Sequence, residues 1–346
     1  MRTSLKPELL DVLCCPECQG SLHPRDIQEK DGRWQSGSLE CQCGQRYPIR
    51  DFIPRFVTDD AYVDNFSYEW TIHSKTQIDS RVSSRSWTTF FEKTGITPES
   101  LRGKRVLDVG VGSGRFADVA SKCGADVIGI DLSFSVDAAR RTFESRDNVQ
   151  LVQADVFRLP FRPGTFDFIY SIGVLHHTPD CRRAFERLPR LLVPGGQIAV
   201  WVYASDLRRP SMAAKKLSVK DRLRLAAHRW SVMASDTYRV ITVRLNKRLL
   251  YLMCYVAVPY GPASRVPLLG NLLKVALPMS SEKKAAWRVL DTFDWYSPRY
   301  QSKHTYEEVM QWFKASNLTD ITANEQWPVA VRGTLAATEK AKGNAA

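Results

Sequence analysis

Five of the eight cysteines fall within the first 43 residues, as Cys14, Cys15, Cys18, Cys41 and Cys43. Cys15-Pro-Glu-Cys18 and, after a 22-residue interval, Cys41-Gln-Cys43-Gly44 form two close pairs. Four thiolates so spaced suit one tetrahedral zinc ion. Such an ion would hold together a segment with few large apolar residues of its own. A disulfide scaffold would spread its bridges along the chain, so this crowding fits a local metal site in a reducing cytoplasm. The second pair is one residue short of the usual C-x-x-C, and Gly44 eases the tight turn that a C-x-C chelate needs. The alternative is a ribbon of reduced cysteines without metal. Cys14 and His23 are the spare candidates, read as packing and surface residues.

A second constellation begins at Asp108. It stands two residues before Gly110-Val111-Gly112-Ser113-Gly114, followed by Asp131 and then Asp155. The spacing is G-x-G-x-G, not the G-x-G-x-x-G of dinucleotide sites. A carboxylate at position 108 is poorly placed for a pyrophosphate and well placed for a methionine ammonium. Asp131 would accept two ribose hydroxyls, and Asp155 an adenine amino group, with apolar neighbours holding the ring. Each acid alone reads equally well as a cap or a solvated strand end. In register they suit an adenosyl amino acid without phosphates.

The elements that must position these groups alternate. Buried strands are predicted at 105–109, 126–130, 149–153, 166–171 and 197–203. Helices are predicted from Arg115, over 136–146 with Ser133 or Ser135 as cap, and from Cys181 to a stop at Pro194-Gly195-Gly196. This is an α/β open sheet. The chain is soluble and globular by composition, with 44% hydrophobic and 25% charged residues. No apolar run near the start is long enough for a signal peptide, and the longest, 249–258, is half of what a spanning helix needs.

Two resemblances follow from these motifs. LLDVLCCPECQGSL (9–22) and LECQCGQRYPIRDFIPRF (39–56) resemble the small zinc-ribbon protein that partners and activates tRNA and release-factor methyltransferases, here fused in cis. VLDVGVGSGRF, VIGIDLS, VQADVFRLPF, FDFIYSIGVLHH and LLVPGGQIAVWVY, between 106 and 203, resemble class I S-adenosylmethionine-dependent methyltransferases of the type 11 group. The resemblance implies a Rossmann-like seven-stranded sheet closed by a reversed hairpin of 320–324 and 329–334. The expected cofactor set is Asp108, Gly110, Gly112, Gly114, Asp131, Leu132, Asp155, Val156 and, by the resemblance, Ile172; the expected structural zinc on Cys15, Cys18, Cys41 and Cys43 rests on the cysteine spacing. The expected domains are a ribbon (1–57), a helical lead-in covering the cofactor (58–100, with 65–70 resembling a methyltransferase lead-in), the methyltransferase domain (101–334) with a helical insertion after the fifth strand (204–305), and a disordered tail (335–346).

For the acceptor, His177 follows the fourth strand and is the expected base for a hydroxyl, with His176 and His304 as alternatives; a structural His-His pair is the competing reading. No N-P-P-Y-like motif, cytosine-type Pro-Cys or radical cysteine triplet is present. The insertion carries twelve basic against three acidic residues between Ser205 and Leu250, a net +9 of the chain's +12, beside apolar runs. That mixture suits a lid that grips an anionic, partly apolar metabolite or rests on the inner face of a membrane. RNA is the second choice, and a basic helix covering a buried one is the bland reading. The aromatic and polar run 293–300, with Lys303 and His304, is expected to wall the acceptor pocket. A non-catalytic scaffold that keeps the fold is a third functional class, disfavoured by the intact glycines and acids.

Overall fold

The computed structural model describes residues 7–57, 84–206, 208, 210–212, 218–326 and 329–337. The expected lead-in at 65–70 and the tail beyond 337 lie outside the described residues.

The first unit is an antiparallel sheet of four strands in chain order: β1 (Leu22–Lys30), β2 (Arg33–Cys41), β3 (Arg46–Arg50) and β4 (Ile53–Pro54). Its apolar face does not close on itself. Leu13, Leu39, Ile49 and Phe56 join one continuous core with Val156, Leu159 and Phe161 of the following domain.

That domain continues through α1 (Arg85–Thr94), β5 (Arg105–Val109), α2 (Arg115–Lys122), β6 (Asp126–Asp131), α3 (Ser135–Thr142), β7 (Val149–Gln153), β8 (Phe166–Ile172), α4 (Cys181–Glu186) and β9 (Leu192–Trp201). The insertion forms α5 (Val219–Thr242), α6 (Lys247–Met253), α7 (Ala257–Ala263), α8 (Leu269–Ala276) and α9 (Ala285–Tyr296). The chain returns through α10 (Tyr306–Ala315), β10 (Leu318–Ala323) and β11 (Ala330–Leu335). The sheet order is β10-β11-β9-β8-β5-β6-β7. β5 to β9 run parallel, and β11 pairs antiparallel with both β9 and β10. The sheet is therefore the expected seven-stranded one with its reversed hairpin. Strands buried on both faces read as apolar runs, as in Val106, Leu107 and Val109 of β5.

Two local expectations change. The helix from Cys181 stops at Glu186 rather than at Pro194-Gly195-Gly196, which lies inside β9. Asp180 caps its start by accepting from the Arg183 N–H (2.9 Å), and Pro189 has no N–H to give the Phe185 carbonyl, so the helix cannot continue. The helix expected at 136–146 spans only Ser135–Thr142. Ser133, buried, accepts from the Ser135 N–H (3.2 Å).

The ribbon closes the open edge of the large sheet. Arg55 pairs in parallel with Gln153 of the edge strand β7, and the Phe56 N–H donates to the Gln153 carbonyl (2.8 Å). The buried Arg55 guanidinium donates to Asp137 (2.7 Å) and to Oε1 of Gln153 (2.9 Å). Gln153 in turn donates through Nε2 to the Leu132 carbonyl (2.9 Å). Arg140–Asp51 (2.7 Å), Arg158–Glu17 (2.8 Å) and Arg33–Asp147 add ion pairs around this seam. Removing one partner of a buried pair costs about 3–5 kcal/mol. Asp137 keeps some solvent, so Arg55→Met is expected to cost less, about 2–3 kcal/mol, measured as a lower urea midpoint. A change below about 0.5 kcal/mol would show that the apolar seam alone holds the ribbon.

Candidate functional site

One cavity of about 650 Å³ opens at the carboxyl ends of β5, β6 and β8, where ligands bind in open α/β sheets. Its floor is the turn after β5. Gly110 and Val111 both donate N–H groups to the Ile130 carbonyl (2.8 Å each). Gly110 has φ +85°, and a Cβ there would lie 2.3 Å from Val174. Only glycine fits. The Gly112 N–H donates to Oδ2 of Asp131 (3.0 Å), while Oδ1 accepts from the Ser133 N–H (2.9 Å) and hydroxyl (2.7 Å). Asp131 thus locks the turn and lines the cavity at once. Burial raises its carboxyl above the ordinary range.

Leu132, Val156, Ile172 and His177 also line the cavity. Asp108, Gly114 and Asp155 are not on its wall. Asp108 lies buried beneath the turn, where burial pushes its carboxyl up to about 7 against the opposing pull of the Tyr170 hydroxyl. Gly114 (φ +95°) provides close packing, since a Cβ would sit 2.4 Å from Phe143. Asp155 turns back on its own chain and accepts from the Phe157 N–H (2.9 Å), leaving its neighbours Ala154 and Val156 on the wall.

The opposite half is built from α1, the end of β9 and the insertion. His177 Nδ1 lies 3.1 Å from the Tyr300 carbonyl. A carbonyl only accepts, so Nδ1 carries the proton and Nε2 the lone pair. Nε2 stands 4.0 Å from Oδ1 of Asp294, whose Oδ2 accepts from the Tyr203 hydroxyl (3.2 Å). Burial drives His177 down to about 3, and burial drives Asp294 up to about 6. Near neutrality His177 is neutral and Asp294 ionised. Lys93 sits 3.3 Å from the centre of the Trp201 ring, and burial lowers its pKa well below the usual range. Asp291, one turn before Asp294 on α9, is pushed up to about 7 by burial and by the Asp294 charge. The ion pair Arg85–Glu282 ties α1 to the insertion at the cavity rim, with Arg85 4.5 Å over Trp287.

His176 is turned away from this chemistry. It is buried, stacks on Tyr203 (3.8 Å) and accepts from the Tyr203 N–H (3.3 Å). His304 is held between Glu308 and Ser302 (2.8 Å each). Of the run 293–300 and its neighbours, Asp294, Trp295 and Lys303 line the cavity. Lys93, Trp201 and Asp291 were not singled out from the sequence. The i, i+3 spacing of Asp291 and Asp294 on a largely apolar helix was the available signal; nothing local marks Lys93.

The four ribbon cysteines converge. Their sulfurs lie within 4.8 Å of one another, with Cys18–Cys41 at 3.4 Å and Cys15–Cys43 at 3.7 Å. Zn–S bonds of about 2.3 Å in a tetrahedron set S···S at about 3.8 Å, so the donor set fits one zinc. None of the four lines the cavity, and a closed Cys₄ site leaves no open coordination position. Elemental analysis is expected to find close to one zinc per chain, and Cys15→Ser with Cys43→Ser to lower the melting temperature. Absence of metal together with an unchanged melting temperature would make the cluster a metal-free relic.

Residues 107–200 match the methyltransferase domain family model, and residues 6–51 match that of Trm112p-like proteins. A ubiquinone biosynthesis O-methyltransferase of Thiobacillus denitrificans is 38% identical over 117 residues, 33% of this chain and 48% of that protein. A phosphoethanolamine N-methyltransferase 2 of Caenorhabditis elegans is 35% identical over 105 residues, 29% of this chain and 24% of that protein. The chain thus spans about half or less of the length of these curated relatives. The solved complex of the Haloferax volcanii Trm112 activator with a putative methyltransferase aligns at 20% identity and TM-score 0.34, over 41% of this chain and 59% of that one, a likeness too slight to bear on function. The two matches thus place a methyltransferase domain at residues 107–200, within the seven-stranded sheet, and a Trm112p-like domain ahead of it at residues 6–51.

Proposed function

We propose that the chain transfers a methyl group from S-adenosylmethionine to an oxygen or nitrogen of a small-molecule, saccharide or lipid-linked metabolite. One observation carries this reading. The Gly110–Ser113 turn and Asp131 share a single cavity with a wall of buried ionisable and aromatic side chains, so cofactor and acceptor would meet there. S-adenosylmethionine would supply an electrophilic methyl on its sulfonium, leaving the protein to align the acceptor and exclude water. Asp131 would take the ribose hydroxyls. Leu132 and Val156 would hold the adenine, and Asp108 beneath the turn would favour the ammonium. Asp155 would reach the adenine amino group only by giving up its bond from the Phe157 N–H.

Calorimetry with S-adenosylhomocysteine tests the cofactor half. Binding is expected, and Asp131→Ala is expected to weaken it by about 10- to 100-fold, because both the ribose contacts and the locked turn are lost. Folded wild-type protein that binds neither S-adenosylmethionine nor S-adenosylhomocysteine would remove every enzyme reading and the cofactor-binding scaffold with it.

For a hydroxyl acceptor, the proton would leave toward His177 Nε2 and the Asp294 carboxylate beside it. Asp294 is the more basic of the two, and it must be ionised to accept or to stabilise a proton on His177. Its carboxyl titrates near 6, so the rate is expected to rise as pH increases through about 6. Asp294→Asn should abolish that limb and lower the rate by about 10²–10⁴-fold. A profile flat from about pH 5 to 8 would mean that neither group serves as base. The Trm112p-like ribbon favours a second reading, methylation of RNA or a translation factor. Tight, salt-sensitive RNA binding in a gel shift would raise it above the first.

A further inference from the structure

Among the described residues, 17 of the 19 exposed large apolar side chains lie between Val219 and Leu272. They are not left over from a missing core. The insertion already has one, in Leu250, Cys254, Val289, Phe293 and Tyr296. On α5 the exposed set is ordered. At about 100° per residue, Leu223, Trp230 and Ile241 fall within about 20° of one direction, with Met233 and Val240 about a quarter-turn to one side. His228 and Ser235 lie about 120–140° from that direction and, with Val232 directly opposite it, line the cavity. The exposed Arg222 and Arg229 border the apolar stripe. α8 runs alongside, held by Ser231 Oγ to the Lys274 carbonyl (3.1 Å) and the Tyr238 hydroxyl to the Ala276 carbonyl (2.7 Å). It adds Leu269 and Leu272 to the outer surface.

We infer that this outer face of α5 and α8 is a docking surface for an anionic lipid bilayer, on which the insertion lies in the interface plane. Charge complementarity selects this occupant. The exposed Lys220, Arg222, Arg224 and Arg229 of α5 outnumber its exposed acid, Asp236, and attract acidic headgroups, while the apolar stripe inserts at the acyl boundary. A second copy of the chain would bring like charge against like charge. RNA would use the cations and leave the stripe in water. No helix among the described residues is long and apolar enough to cross a membrane, so the contact is a surface one. The helix that meets lipid on one face lines the cavity with the other, so the bilayer would lie one helix away from the cavity wall.

The test is co-sedimentation of the full chain with phosphatidylcholine vesicles, with and without phosphatidylglycerol, alongside light scattering and an RNA gel shift. Binding is expected to be at least about tenfold tighter to the anionic vesicles and to weaken with salt. The triple variant Leu223→Ser, Trp230→Ser, Met233→Ser and, separately, Arg222→Glu with Arg229→Glu are each expected to lose about tenfold or more, with thermal unfolding unchanged. All of these side chains are exposed, so neither variant removes a core contact. Failure of the wild type to bind anionic vesicles would overturn the proposal. So would equal binding of the triple variant, a dimer that the triple variant dissolves, or RNA binding in place of vesicle binding.

Discussion

Five parallel strands impose the constraint on which this molecule depends. A parallel sheet carries apolar side chains on both faces and a row of unpaired amides and carbonyls along each open edge, so it must be covered on every side. At one edge the β10–β11 hairpin turns antiparallel and ends the sheet. At the other, β7 would stand bare without the ribbon, which lays Arg55 and Phe56 against Gln153. The ribbon lacks a closed core and the sheet lacks a closed edge. Each supplies the other's missing surface, and their side chains merge into one cluster.

That seam reaches the site. Gln153 accepts from Arg55 on one side and donates to the Leu132 carbonyl on the other. Leu132 lies on the cavity wall, directly after the aspartate that locks the glycine turn. The ribbon is therefore joined by hydrogen bonds to the backbone of the cavity wall, while its four cysteines lie outside the cavity. This is the ordinary way a supporting shell fixes a site built at strand ends.

The half of the cavity that faces the insertion is organised by desolvation. Enclosing Lys93, His177, Asp291 and Asp294 among Trp201, Tyr203, Trp287 and Trp295 penalises every charged form, so the lysine and histidine shift down and the two acids shift up. Near neutrality this leaves His177 uncharged and sets Asp291 and Asp294 close to their own titration, at about 7 and about 6. The insertion creates this environment with one face of α5 and α9 while leaving apolar side chains on its outer surface.

The reversed hairpin was legible only through the family resemblance. The positions of the five parallel strands were legible in the sequence because buried strands are short apolar runs and the glycine turn punctuates them. So were the four cysteines, whose spacing confines their sulfurs, and the aspartates at the ends of β5 and β6, which a strand of known register must deliver to one edge. The sequence could not say that Asp155 turns back on the Phe157 N–H or that Gly195 lies within a strand, since both depend on local hydrogen bonds that compete with similar alternatives. Nor could it bring Lys93 to Trp201 or Asp294 to His177. Those pairs are separated by more than a hundred residues, and no periodicity encodes a contact between distant segments. Strand identity and turn chemistry were thus fixed locally by residue type, whereas the acceptor wall and the two-faced insertion were decided by which surfaces the folded sheet left open to be covered.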